Sequence, residues 1–150
     1  MYSRIMVAVD GSDISALALQ EALALARDQH AQVRIVHVID TVPPLDVAFD
    51  AFRQSCLQEG REVLDHAVGV ARQAEVEAEP LLVDTESSPS RGITDEAARW
   101  PADLIVVGTH GRTGLMHLLL GSVAEGVVRH APVPVLLVRS VRTAPDKPPG

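Results

Sequence analysis

Short apolar runs alternate along the chain with longer segments in which apolar residues recur every three or four positions. The short runs predict buried β-strands, and the longer segments predict helices with one apolar face. Five strands are predicted at residues 4–9, 33–38, 76–83, 103–107 and 133–138, with helices between them at about 14–30, 46–74, 88–100 and 122–130. This alternation predicts an α/β fold with an open, five-stranded parallel sheet and helices on both faces, because parallel neighbours need crossover connections.

Several local signals refine the predicted helices. Ser88 followed by Pro89 has the form of a helix cap with proline at the first helical position. The helix that follows has the weakest signal, because Gly92 lowers its propensity, and Gly126 interrupts the last helix in the same way. Cys56 lies on the apolar stripe of the second helix and is therefore expected to be a buried, small hydrophobic side chain.

The chain has 150 residues, which suits one domain, and 47% of them are hydrophobic although only 3% are aromatic. We expect residues 1–140 to form that domain and residues 141–150 to form a flexible tail. No apolar stretch approaches the ~20 residues of a membrane span, and the N-terminus does not resemble a secretion leader. The composition therefore predicts a cytoplasmic protein without membrane insertion.

The charged residues exclude several kinds of chemistry. Twelve of the 13 basic residues are arginines, and the one lysine, Lys147, lies in the predicted tail. Schiff-base and pyridoxal-phosphate chemistry need a lysine in the folded domain, and so does the common lysine-containing phosphate loop. The net charge of −7 argues against nucleic acid as a partner. Any bound anion would have to be held largely by backbone amides.

A candidate anion site lies in the loop between the fourth strand and the last helix. Ligands of open parallel sheets bind beyond the carboxyl ends of the strands, and here those ends lead into residues 10–13, 39–47 and 108–122. The third segment has glycines at 108, 111, 114 and 121, and Ser122 begins the predicted helix. A strand, a glycine loop and a helix N-terminus together make a phosphate cradle that needs no lysine.

The same residues also have explanations that involve no ligand. The sequence from Ser122 to Glu125 matches a capping box, in which the two side chains bond each other's backbone amides. Asp10 either binds a metal ion or a ribose hydroxyl or begins a turn with the next glycine. His110 and Arg112 either contact phosphate or face solvent. The residues alone leave these alternatives open.

Longer motifs carry a family resemblance. The loop has two residues between Gly108 and Gly111, and nine more before Gly121 and Ser122. This pattern resembles the nucleotide-binding signature of the ATP-binding branch of the universal stress protein family. Residues 5–12, 102–112, 119–125 and 128–138 are also similar to that family, so the resemblance covers nearly the whole chain. It implies a Rossmann-like sheet with the strand order 3-2-1-4-5.

The resemblance also implies where each part of an ATP molecule would bind. Asp10 would lie near the ribose and triphosphate and help to hold a magnesium ion, and the backbone around Val38 and Ile39 would meet the adenine. The ribose and phosphates would lie against the glycine loop and the start of the last helix. The residues expected at the site are Asp10, Val38, Ile39, Gly108, His110, Gly111, Arg112, Gly121, Ser122 and Val123. Dimers of this family commonly pair their last strands, which implies contact through residues 133–138.

The main functional hypothesis is a homodimeric, ATP-binding sensor or regulator of the stress response with an unknown protein partner. Fast phosphoryl transfer needs a positioned base and cations at the transition state, so we expect slow hydrolysis or none. One alternative is a nucleotidyl- or phosphoryl-transfer enzyme on a similar sheet. Another is a protein-interaction module with an empty pocket. A phosphoacceptor signalling domain lacks support, because its usual acidic pair and lysine are absent from the sequence.

Overall fold

The computed structural model describes residues 1–40, 45–46, 48–110 and 120–140. Strands and helices alternate throughout this part of the chain. The strands are Arg4–Ala8 (β1), Gln32–Asp40 (β2), Ala78–Thr85 (β3), Leu104–Gly108 (β4) and Val135–Val138 (β5). The helices are Asp13–Gln29 (α1), Phe49–Gln73 (α2), Pro89–Arg99 (α3) and Ser122–His130 (α4). None of these four helices is both long and apolar enough to cross a membrane.

All five strands are parallel and lie in the order β3-β2-β1-β4-β5, which confirms the predicted fold. Successive residues of β1 alternate between the two faces of the sheet. Ile5 and Val7 pack under α1 and α2, whereas Met6 packs under α3 and α4, and all three side chains are fully buried. Helices therefore cover both faces, as the continuous apolar runs of the central strands require.

Several predicted boundaries were wrong. β3 spans Ala78–Thr85 rather than residues 76–83. β2 continues through Asp40, where the sequence predicted a loop, because Asp40 still pairs with Thr85 of β3. α2 begins at Phe49 rather than near residue 46. β5 begins at Val135 rather than at Val133, because the intervening Pro134 has a carbonyl that accepts from Ile105 but no N–H to continue the ladder.

Two glycines predicted to weaken helices are close-packing positions. A Cβ atom on Gly92 would lie 3.2 Å from a Val38 methyl group, so α3 sits directly on β2. A Cβ on Gly126 would lie only 2.3 Å from the Ser90 hydroxyl oxygen, where α4 crosses α3. The prediction for Ser88 is confirmed, since its side chain accepts from the Arg91 amide at 3.3 Å and caps α3.

The expectation for Cys56 was only partly right. It is a free thiol on α2, as predicted, but the side chain is half-buried rather than buried. In this helix the buried positions are Gly60, Leu64, Ala67 and Ala71, all of them after Cys56.

Candidate functional site

The carboxyl ends of three neighbouring strands meet at the centre of the sheet. β1 lies between β2 and β4, and the strand order reverses between β1 and β4. Asp10 follows β1, Val38 and Ile39 belong to the end of β2, and Gly108 is the last residue of β4. The structure therefore brings these predicted residues to one edge, at the position where open α/β sheets bind ligands.

Asp10 organises the turn that connects β1 to α1. Its Oδ1 atom accepts from the Ser12 amide at 2.9 Å and also from the Ser12 hydroxyl, while its own amide donates to Ser15 Oγ at 3.2 Å. Gly11 has a φ of 82°, a left-handed conformation that favours glycine. Ser12 in turn caps α1 by accepting from the Ser15 amide. The turn role of Asp10 is confirmed, and its role toward a metal or ribose stays a prediction.

The backbone at Gly121 lies directly on the segment that leaves β4. The Gly121 amide donates to the Thr109 carbonyl at 2.7 Å. A Cβ on Gly121 would lie 3.1 Å from His110 Cα, and a Cβ on Gly108 would lie 3.0 Å from Ile14 of α1. Neither glycine has a positive φ. Both glycines are therefore close-packing positions, Gly121 against backbone and Gly108 against the Ile14 side chain, and neither is needed for an unusual conformation.

No side chain among the described residues caps the N-terminus of α4. Gly121 is the N-cap residue, and Ser122 is already the exposed first residue of the helix. The Glu125 carboxylate binds the Arg129 guanidinium at 2.8 Å instead of reaching back. The predicted capping box was therefore wrong, because the helix begins one residue earlier than that motif requires. The positive end of the α4 dipole, with its first amides, is left beside residues 109–110.

The side chains of Val38 and Ile39 point away from the edge of the sheet. Ile39 is buried and lies near Gly60 of α2, whereas Val38 is half-buried and lies near Gly92 of α3. Only their backbone atoms are placed to meet a ligand at the carboxyl end of β2. The backbone contacts with an adenine that the resemblance implied stay a prediction.

Other predicted residues lie around the α4 N-terminus. His110 is half-buried, and its Nδ1 atom shares a hydrogen bond with the Thr109 hydroxyl at 3.2 Å. Val123 is 37% exposed in the first turn of α4. Gly111 and Arg112 lie outside the described residues.

One residue at this edge was missed by the sequence analysis. His37 of β2 is 9% exposed, and its Nδ1–H donates to the Val9 carbonyl at 2.7 Å, one residue before Asp10. The available signal was a polar ring within the otherwise apolar end of the run at residues 35–39. That signal does not identify the hydrogen-bond partner of His37, which follows another strand, β1.

The site fits a magnesium ion only in combination with a nucleotide. Across residues 1–40, 45–46, 48–110 and 120–140, no three His, Cys, Asp or Glu side chains cluster as a metal site. Magnesium is commonly held by one or two carboxylates together with phosphate oxygens and water. Asp10 would therefore be one ligand among several, with the nucleotide supplying the others.

Curated relatives match the chain over most of its length. A sequence model described as the universal stress protein family matches residues 1–139. The universal stress protein MJ0531 of Methanocaldococcus jannaschii is 35% identical over 143 residues, which cover 93% of this chain and 83% of that protein. The universal stress protein YxiE of Bacillus subtilis is 35% identical over 150 residues, covering 93% of this chain and 100% of that protein.

Solved structures agree with these relatives. A universal stress family protein from Burkholderia pseudomallei is 36% identical, with a TM-score of 0.79 and coverage of 93% of this chain and 97% of that one. A universal stress protein from Archaeoglobus fulgidus in complex with dAMP is 30% identical, with a TM-score of 0.72 and coverage of 91% and 98%. Another universal stress protein, in complex with cAMP, is 28% identical, with a TM-score of 0.72 and coverage of 93% and 99%. The sequence match, the relatives and the shared fold lead to one conclusion: this chain belongs to the universal stress protein family.

Proposed function

We propose that this protein binds ATP with magnesium and acts in the cytoplasm as a nucleotide-dependent sensor or regulator of the stress response. The observation that carries the proposal is the N-terminus of α4, which no side chain of the described residues caps and which Gly121 holds against residues 109–110. Relatives solved with dAMP and cAMP support an adenine nucleotide as the ligand.

A triphosphate would be held mainly by backbone groups at this site. The first amides of a helix and its dipole favour an anion without any lysine. Binding by backbone amides suits this chain, because its one lysine, Lys147, lies in the predicted C-terminal tail. The adenine would lie against the backbone of Val38 and Ile39, and Asp10 would help to hold magnesium on the phosphates.

The proposed site is better suited to retaining ATP than to hydrolysing it. Rapid phosphoryl transfer needs a residue that activates water and a cation that stabilises the transition state. Asp10 is already engaged by Ser12 in the turn, and His110 is engaged by Thr109. We therefore propose slow turnover or none.

Titration calorimetry with ATP and magnesium tests the proposal. The intact protein is expected to bind ATP saturably, and ADP and AMP titrated in parallel identify the preferred nucleotide. Asp10→Asn keeps an oxygen that can accept from Ser12 but removes the negative charge. This variant is therefore expected to fold normally and to lose about tenfold in the magnesium-dependent part of its ATP affinity, which corresponds to one charge-assisted contact.

Two outcomes would contradict this proposal in different ways. If the intact protein binds none of the three nucleotides, the site is not a nucleotide site, and an interaction module with an empty pocket becomes the better hypothesis. If Asp10→Asn binds ATP with unchanged magnesium dependence, Asp10 serves the turn alone.

We also propose that the protein forms a homodimer through β5. The two edges of the sheet differ in a way that favours this strand. The β3 edge carries Glu79, Pro80 and Asp84, and charged residues and proline discourage pairing with another sheet. β5 is the apolar sequence Val-Leu-Leu-Val, and Leu136 is 36% exposed. An apolar edge of this kind needs a cover.

Replacing Leu136 with Arg is expected to convert the dimer to a monomer, because a charge would be placed in the centre of the proposed contact. Phe49→Arg is the control, since Phe49 is 52% exposed on α2, which packs on β2 and β3 on the opposite side of the sheet from β5. Analytical ultracentrifugation of both variants and the intact protein measures the change. A Leu136→Arg variant that sediments as the intact protein does would place the dimer contact elsewhere.

A further inference from the structure

The His37 side chain donates a hydrogen bond at the point where the backbone ladder between β1 and β2 ends. The last paired residues of the two strands are Ala8 and Val36. The Val9 amide still donates to the Val36 carbonyl at 2.9 Å. In a continued parallel ladder, the Val9 carbonyl would accept from the Val38 amide. Here that carbonyl accepts from His37 Nδ1 at 2.7 Å.

The imidazole ring has little freedom to leave this position. It is buried on the face of the sheet covered by α2, and α2 approaches it through Gly60. A Cβ on Gly60 would lie 3.0 Å from His37 Cδ2 and 2.6 Å from a Leu82 methyl group. Because interiors are close-packed, the helix holds the ring against β1 and so fixes the direction of its Nδ1–H bond.

The bond joins the two segments that frame one half of the proposed nucleotide site. Val9 immediately precedes Asp10, and His37 immediately precedes Val38 and Ile39. β1 ends at Ala8 while β2 continues to Asp40, and beyond the bond from the Val9 amide to the Val36 carbonyl no backbone bond among the described residues joins these segments. The imidazole is a direct link between them at this level of the sheet.

We infer that His37 is a positioning residue for the nucleotide site: it sets the distance between Asp10 and the backbone of Val38 and Ile39 without touching the ligand. This inference rests on the proposed function, because it assigns a role in nucleotide binding. It adds a side chain from the buried face of β2 to a site otherwise built from strand ends, the turn at Asp10 and a helix terminus.

Two substitutions separate the hydrogen bond from the volume of the ring. His37→Leu fills the space but cannot donate, and it is expected to weaken ATP binding about tenfold, the effect of one lost hydrogen bond. His37→Asn has an N–H near the position of Nδ1–H and is expected to recover most of that affinity. Both variants are measured by calorimetry with ATP and magnesium. Leu64→Ala on α2 is the control, since it removes buried volume but leaves this bond intact, so its ATP affinity is expected to match the intact protein.

A double-substitution cycle tests whether His37 acts through Asp10. If it does, the losses in His37→Leu and Asp10→Asn will not add in the doubly substituted protein. Additive losses would overturn the positioning role. Equal ATP affinity in His37→Leu and the intact protein would also overturn it while leaving the proposed function standing, whereas an intact protein that binds no ATP would remove both.

A measurement on the intact protein keeps the inference testable if His37→Leu does not fold. Nitrogen-15 spectra of the imidazole distinguish a protonated Nδ1 from an unprotonated one. The inference requires a proton on Nδ1, because the Val9 carbonyl can only accept. An unprotonated Nδ1 would overturn it.

Discussion

Replacing Arg34 with Met is expected to lower the free energy of unfolding by about 3 kcal/mol, although Met preserves much of the apolar volume. The Arg34 guanidinium on β2 binds Glu96 of α3 at 2.8 Å and Glu79 of β3 at 2.9 Å. It also lies 4.8 Å from the centre of the Trp100 ring. The Glu96 side chain is only 4% exposed, so removing Arg34 leaves a buried carboxylate whose remaining ion-pair partner, Arg99, is 77% exposed.

The expected loss is at the lower end of the range for breaking a buried ion pair. Arg99 still binds Glu96 at 3.2 Å after the change, and Arg34 Nε is buried without a hydrogen-bond partner among the described residues. The intact network is therefore not fully satisfied, which limits what its removal costs. The network connects α3 to β2 and β3, away from the proposed nucleotide site, so the nucleotide affinity of folded protein is expected to stay unchanged.

Urea unfolding followed by the fluorescence of Trp100, the one tryptophan in the sequence, measures this loss. Arg129→Met is the control, because it removes the exposed ion pair with Glu125 and is expected to cost less than about 1 kcal/mol. Adding Glu96→Leu to Arg34→Met is expected to restore part of the stability, since no buried charge is then left unpaired. Equal losses of unfolding free energy in Arg34→Met and Arg129→Met would show that the buried Arg34 ion pairs stabilise the protein no more than the exposed pair does.

Much of the fold could be predicted from the sequence, because the spacing of apolar residues differs clearly between the strands and the helices of this chain. The alternation predicts a parallel sheet, and the family resemblance supplies the strand order that the structure confirms. Boundaries depend on pairing with distant residues, which local patterns do not contain. Asp40 extends β2 because Thr85 pairs with it, and Pro134 delays the start of β5 because it has no N–H.

The candidate site was predictable where a local motif sets the geometry, and less so where distant elements meet. The turn at Asp10 follows from a short motif, whereas the approach of Gly121 to residues 109–110 was not predicted. The capping box was wrong because its pattern does not tell whether the N-cap residue is Gly121 or Ser122. The roles of Gly126 and His37 could not be predicted, because they depend on contacts with Ser90 of α3 and with Val9 after β1, which are distant in sequence.

Replacing Gly121 with Val is expected to weaken ATP binding by about 100-fold, or roughly 3 kcal/mol, the worth of two hydrogen bonds from amides to a charged phosphate. A Cβ at this position would lie 3.1 Å from His110 Cα and 3.4 Å from the Thr109 carbonyl oxygen. These contacts are with backbone atoms, which cannot rotate away as a side chain does. Val adds two further methyl groups, so α4 must move away from residues 109–110.

Moving α4 separates the two halves of the proposed phosphate site. The hydrogen bond from the Gly121 amide to the Thr109 carbonyl, which is 2.7 Å long, would lengthen. The first amides of α4 and the backbone at the end of β4 would then no longer converge on one binding position for the phosphates. Stability is expected to fall by only about 1–3 kcal/mol, as for other overpacked positions. The affinity loss is therefore expected in protein that remains folded, which the unfolding transition of the variant verifies.

Gly69→Val is the matched control for calorimetry with ATP and magnesium. It makes the same chemical change in α2, where an added Cβ meets nothing within 4 Å, and its ATP affinity is expected to equal that of the intact protein. Gly121→Ala adds only the Cβ and should give an intermediate loss, because the steric demand is smaller. If folded Gly121→Val binds ATP as tightly as Gly69→Val does, the phosphates do not lie at the α4 N-terminus. Graded loss from Gly to Ala to Val would instead tie the affinity to the distance between α4 and residues 109–110.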